Sequence, residues 1–131
     1  MSRFVRKSDL LHETFEWGEI DWRCRPDITA SKQLTVLEVT LAPNAGHAFH
    51  RHPDQEEMVI VRSGRIEQWL EQEKSELGPG DSVYIDADLV HASYTLGDEA
   101  AHLLVFLGPS SGEIGYEVVD VFEEEPWRSL R

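Results

Sequence analysis

Hydrophobic and polar residues alternate with a period of two along most of the chain. In Thr35–Leu41, the residues Leu37, Val39 and Leu41 alternate with Val36, Glu38 and Thr40, the pattern of a strand with at least one buried face. Runs of strand length recur at 57–62, 65–71, 82–86, 92–96, 101–107 and 116–122. Turn residues separate them: Ser63-Gly64, Gly78-Pro79-Gly80, Gly97-Asp98 and Gly108-Pro109. The middle of the chain shows no helical period, so only the ends could be helical, and no internal repeat interrupts the pattern. Short strands at this spacing predict an all-β protein, an antiparallel sandwich or barrel.

Composition narrows this to one domain over residues 1–131. At 131 residues and 15.0 kDa, without a linker, the chain has the size of a single core, and 40% hydrophobic content suffices to build one. The 25 acidic residues outweigh 12 basic ones, a formal charge of -13, so the field repels phosphate backbones and anionic lipid. Nucleic acid and membrane are excluded as expected partners. The longest apolar run, Leu103 to Leu107, is far below the roughly 20 residues of a membrane helix. A single cysteine, Cys24, and a basic N-terminus with no apolar stretch behind it predict a cytoplasmic protein. The acidic run Glu123-Glu124-Glu125 reads as a solvated C-terminal tail.

The chemistry concentrates in three histidines. His50 and His52 flank Arg51, and in a strand two such residues share one face about 6.6 Å apart, close enough for both imidazoles to converge on one ion. The carboxylates Glu56 and Glu57 open the next strand, and His91 follows a Gly-Pro-Gly-Asp turn. Imidazole and carboxylate together suit iron, manganese, nickel, cobalt or zinc. His12, His47 and His102 lack partners at metal spacing and read as solvated or hydrogen-bonded, with His47 the exception closest to a barrel mouth.

These residues resemble the cupins. The first cupin motif, G(X)5HXH(X)3,4E(X)6G, is matched by Asn44, His50, His52, Glu57 and Gly64, with Asn44 in place of glycine. The second, G(X)5PXG(X)2H(X)3N, is matched at Gly80 and His91, with Asp86, Asp88 and Thr95 replacing its Pro, Gly and Asn. The two motifs span a core over 43–95 with flanking strands around it. The resemblance implies a double-stranded β-helix (jelly-roll) barrel and a divalent metal, iron, manganese, nickel or zinc, held by His50, His52, Glu57 and His91.

Pairing distinguishes the two glutamates independently. If Ser63-Gly64 closes a two-residue hairpin, Val61 faces Ile66, Val59 faces Gln68 and Glu57 faces Leu70. That face is apolar apart from one carboxylate and one amide, as the inside of a barrel with a site should be. Glu57 then points inward and Glu56 outward. By the same parity Ser93 and Thr95 point inward with His91, so Gln68, Ser93 and Thr95, with Val59 beside them, are the candidate substrate contacts. On the opposite face Met58, Ile60 and Trp69 form an apolar cluster, which predicts a homodimer.

Three neutral imidazoles and one carboxylate leave a divalent ion with a net charge near +1 and open coordination positions. Such a site attracts small oxygen-rich anions. The expected function is a metal-dependent enzyme on such a molecule, with a dioxygenase or other oxidoreductase first; the alternatives are a non-catalytic ligand-binding or sensing barrel and a sugar isomerase or epimerase.

Overall fold

Short alternating segments leave one apolar edge each, and in this chain they close face to face as two antiparallel sheets. The computed structural model describes residues 2–131. One sheet contains β1 (Leu11–Phe15), β2 (Gly18–Cys24), β3 (Thr35–Leu41), β5 (Glu56–Ser63), β8 (Ser82–Ile85) and β10 (Ala101–Gly108), in the order β1-β2-β3-β10-β5-β8. The other contains β4 (Gly46–Arg51), β6 (Ile66–Leu70), β7 (Glu73–Leu77), β9 (His91–Thr95) and β11 (Val119–Asp120), in the order β11-β4-β9-β6-β7. Helix is confined to short turns near the ends, including α1 (Pro26–Thr29) and α2 (Trp127–Leu130). No helix among the described residues is long and apolar enough to cross a membrane.

The two sheets do different work inside the barrel. The first lines it with hydrocarbon: Ile20, Trp22, Leu37, Leu41, Val59, Val61, Ile85, Leu103, Val105 and Leu107 are buried together, joined from the second sheet by Ile66. The second sheet's inner face is polar. Gln68 on β6 lies opposite Ser93 on β9, Leu70 lies opposite His91, and His50 on β4 lies opposite His91 from the other side. Burying apolar area on one wall stabilises the barrel and leaves the facing wall free for chemistry.

Three sequence expectations need correction. Ser63-Gly64 does not close a hairpin: β5 pairs with β10 and β8, and β6 pairs with β7 and β9. The chain instead turns a corner from one sheet to the other, and Gly64 (φ 77°) packs so closely that a Cβ there would lie 2.5 Å from the Ala100 carbonyl oxygen. The side-chain parity survives the corner, so Glu57, Val59, Val61, Ile66 and Gln68 are all buried. The apolar cluster of Met58, Ile60 and Trp69 does not form, because β5 and β6 lie in different sheets. Trp69 is buried on the outside of the second sheet with Phe49, Val90, Ala92 and Val121, where Trp127 and Leu130 of α2 cover them.

The C-terminus is the third correction. Glu123, Glu124 and Glu125 are exposed as expected, but the residues after them dock. The Arg131 guanidinium lies 3.7 Å from the Tyr94 ring centroid and 3.0 Å from Glu67 Oε1. Of the run 116–122, only Val119–Asp120 forms a strand, and strands β1 and β7, whose sequences LHETF and EKSEL lack a clean apolar face, have no counterpart in the alternation.

Candidate metal centre

The site begins with an irregularity in β4. Its pairing with β9 runs His47 to Ser93 and then His50 to His91, so three residues on β4 span two on β9. That bulge inserts one residue and breaks the alternation. His47 and His50, which would point to opposite faces of a regular strand, stack instead, with ring centroids 3.7 Å apart and planes within 16°. Phe49 is turned outward into the second apolar cluster. His52, two residues beyond His50, comes inward on the same side.

Each of the three predicted histidine ligands is oriented by a backbone carbonyl. His50 Nδ1 lies 2.6 Å from the Ala48 oxygen, His52 Nδ1 2.8 Å from the Glu117 oxygen and His91 Nδ1 2.9 Å from the Leu89 oxygen. A carbonyl can only accept, so each Nδ1 carries its proton and each Nε2 presents a lone pair, the arrangement that metal-binding imidazoles adopt. The three rings are buried, and one ligand atom from each lies within 4.8 Å of the others. These three histidines could hold a metal ion.

Glu57 reaches the same place from the facing sheet. Its Oε1 lies 3.3 Å from His52 Nε2 and 3.0 Å from His91 Nε2. Yet Glu57 Oε1 and His91 Nε2, both fully enclosed, have no hydrogen-bond partner. Two buried polar atoms left unpaired at this distance are costly, and a lone pair facing a carboxylate is repulsive unless a cation lies near both. The donor set therefore fits a divalent ion. Burial alone would raise the Glu57 carboxyl, but positive charge on the His91 and His52 imidazoles beside it would hold it below the ordinary carboxylate range, and a cation bound between these groups acts in the same direction. Burial pushes His50 well below the ordinary imidazole value, and the neighbouring His47 and His91 add to that, which keeps it in the neutral form a metal requires. For His52 burial acts downward, but Glu57 outweighs it and raises the group.

A supporting shell surrounds these residues. Gln55 is buried, donating 2.8 Å hydrogen bonds from Nε2 to the carbonyls of Pro109 and Gly115 while its Oε1 accepts the Glu117 N–H at 3.1 Å. It thereby pins the segment whose Glu117 carbonyl orients His52. Where the second motif carries glycine, Asp88 adopts the left-handed conformation itself (φ 67°), and its carboxylate holds Arg51 at 2.6 Å. Asn44 does the same at the first motif's glycine position (φ 56°). Glu56 points outward and accepts the Tyr84 hydroxyl at 2.8 Å.

The candidate substrate contacts are buried, and their polar groups have partners. Ser93 Oγ donates to Gln68 Oε1 at 2.6 Å, Gln68 Nε2 donates to the Trp69 carbonyl at 3.2 Å, and Val59 sits in the apolar wall. Thr95 Oγ1 lies 2.9 Å from the carbonyls of both Ala42 and Ala45 and accepts the Ala45 N–H, clamping the turn before β4. Alternation did not identify His47, Tyr116 or Gln55 as site residues. His47 is displaced by the bulge, and Tyr116, whose ring is 5.0 Å from that of His52, lies in an irregular segment.

Comparison with known proteins agrees with this geometry. The Cupin domain family matches residues 37–107, more than half of the chain. No curated protein matches the sequence. Among solved structures, KdgF from Halomonas sp. superposes with a TM-score of 0.71 at 20% identity, over 86% of this chain and 98% of that one. A mutant of Bacillus subtilis oxalate decarboxylase OxdC gives 0.72 at 20% identity, over 85% of this chain but 30% of its own. The DMSP lyase DddQ from Ruegeria pomeroyi DSS-3 gives 0.61 at 28% identity, over 72% of this chain and 46% of its own. The chain thus spans under half the length of the latter two.

Proposed function

The chain belongs to the cupin family, and from that premise we propose that it holds one divalent ion, iron, manganese, nickel or zinc, with His50, His52, Glu57 and His91 and acts there on a small oxygen-rich anion. The observation that carries the reading is the enclosed, unpaired couple of Glu57 Oε1 and His91 Nε2 beside two further imidazoles. A bound ion would supply positive charge to draw and polarise an oxyanion. The protein's own residues do the rest: backbone carbonyls fix the three Nδ1–H groups, and the hydrocarbon wall around Val59 and Val61 excludes water. Val59, Gln68, Ser93 and Thr95 complete the inner wall toward the ligand in this proposal, with Ser93 able to redirect the hydroxyl it donates to Gln68 toward an incoming oxygen.

Neighbouring folds support a small-carboxylate chemistry, since several are oxalate decarboxylases, among them one from Lactobacillus farciminis in a formate complex. The reactions to test are therefore oxygen-dependent oxidation, our first choice, and decarboxylation or elimination beside it. A non-catalytic sensing barrel is the second reading, favoured by Thr95, whose hydroxyl is committed to the Ala42 and Ala45 carbonyls and the Ala45 N–H. An isomerase or epimerase using a lysine is disfavoured, because Lys7, Lys32 and Lys74 are all exposed. The lone Cys24 fits a reducing, cytoplasmic setting. The assembly we propose is a homodimer, formed through the outer face of the six-stranded sheet rather than through Trp69.

The test is elemental analysis of protein purified without added metal. Near-stoichiometric metal is expected, retained in Glu56→Ala and lost in His50→Ala and His91→Ala. Full occupancy in His91→Ala would overturn the ligand set. Turnover of 2-oxo acids, enediols or catechols that vanishes in His52→Ala supports an enzyme; binding without conversion across that panel favours the sensor.

A further inference from the structure

A cavity of about 670 Å³ lies beside the metal centre, between the β1–β2 corner, the start of β4 and residues 114–122. It adjoins the centre through two rings, His47 stacked on His50 and Tyr116 against His52. Its walls are mainly apolar and aromatic. Phe15, Trp17, His47 and His50 form one continuous stack, with successive centroids 4.9, 4.8 and 3.7 Å apart and planes within 2°, 13° and 16°.

Size and charge restrict what this cavity accepts. Its volume lies in the range of sites for drug-sized molecules, several times what a formate or an oxalate fills. Water filling the remainder would find hydrocarbon and ring surface on most sides, which favours an apolar occupant. The charged groups lining it are Glu13, Glu16 and Asp120, and no lysine or arginine among the described residues joins them. Glu13 is engaged by the Trp22 indole N–H at 2.7 Å and lies 3.8 Å from the buried Arg25 guanidinium, which offsets its charge from behind the wall, while Glu16 and Asp120 add negative potential. A second anionic group on a ligand would meet repulsion from Glu16 and Asp120 and no cation in the lining itself.

We propose that this cavity takes a flat, mainly apolar molecule bearing a single carboxylate or comparable oxyanion, its charged end toward His47 and Tyr116 and its body along Phe15 and Trp17. The attraction of the charged end rests on the metal reading given above. Selection for a flat body with no second charge rests on the cavity alone. Aromatic walls favour a planar partner, in stacked or edge-to-face contact.

Calorimetric titration of zinc-loaded protein with acetate, phenylpropionate and the para-carboxylated derivative of phenylpropionate tests this. Phenylpropionate should bind about tenfold or more tighter than acetate, and the added carboxylate should remove about that gain, since burying a ring contributes more than ordering it costs. Trp17→Ala should erase the aryl preference with zinc content unchanged. If circular dichroism finds Trp17→Ala unfolded, Phe15→Ala serves, because that ring lies at the surface of the stack and its removal leaves the core intact. Equal affinity for acetate and phenylpropionate, or an aryl preference untouched in the folded variant, overturns the inference. Retained zinc and bound acetate without aryl gain would sink the cavity proposal alone. Aryl preference in a protein that retains no zinc would sink the metal reading and leave the cavity proposal standing.

Discussion

At the scale of single residues, the centre is built by atoms that hold other atoms in place. The imidazoles His50, His52 and His91 are positioned by carbonyls, and the carbonyl that serves His52 is itself positioned by Gln55. Gln55→Ala would free the Pro109 and Gly115 carbonyls and the Glu117 N–H together, so His52 would lose its fixed tautomer and direction. Metal affinity is expected to fall by about 10- to 100-fold, the range for lost outer-shell partners. Competition with a chromogenic chelator measures it, with Glu56→Ala as the unaffected comparison. The three clustered histidines and Glu57 were legible because their types and spacing are chemical facts of the sequence. Gln55 and His47 were not: a glutamine announces no role until its three partners are in space, and a bulge cannot be seen in a pattern whose meaning assumes regular alternation.

At the scale of elements, the corner at Gly64 and the C-terminal segment decide how the two sheets meet. The alternation in β5 and β6 correctly told which side chains face inward, but not which strands pair, since parity is a local property and pairing is set by contacts distant in sequence. Gly64 and Gly97 both have left-handed backbones, with φ of 77° and 80°, but only Gly64 is crowded; a Cβ at Gly97 meets nothing within 4 Å. Gly64→Ala should therefore cost about 1–3 kcal/mol more than Gly97→Ala in urea unfolding, the difference being steric rather than conformational. Docking of the C-terminus makes a second prediction. Burial alone would raise Glu67, but hydrogen bonds from the Trp69 indole N–H (2.7 Å) and Arg131 (3.0 Å) hold it below the ordinary carboxylate range. A lowered native value means that the unfolded chain binds the proton first, so this stability is present above about pH 4.5 and is lost as the pH falls further. Unfolding midpoints in wild type and Glu67→Gln, measured from neutral pH down to about pH 3, should differ in their pH dependence below pH 4.5, with the wild type losing more on acidification; parallel curves would remove Glu67 from the account.

At the scale of the whole molecule, the question is what covers the outer face of the six-stranded sheet. Its register places Val36, Phe106, Met58 and Tyr84 in one row across four strands, with Leu104 and Ile60 in the next. Met58 and Tyr84 are well exposed, at 36% and 51%. Glu38 continues the second row on β3, opposite Leu104, and bridges Arg23 and Arg62, which neutralises charge at the edge of the patch even though the chain as a whole carries a formal charge of -13. An apolar sheet face with a paired polar border suits a symmetric contact in which the same row meets its copy, and such a contact is self-complementary by construction. The long-range repulsion between two acidic chains opposes it and is screened by salt, so association should strengthen from low ionic strength to about 0.15 M, where the Debye length is about 8 Å. Light scattering is expected to give twice the 15.0 kDa chain mass at physiological salt. Phe106→Asp places a charge in the middle of the row on the outward side of β10, away from the barrel interior, and should yield a monomer that keeps its metal content and β-sheet circular dichroism. A wild-type monomer at micromolar concentration and physiological salt would refute the dimer, and a Phe106→Asp protein that stays dimeric would move the contact to another face.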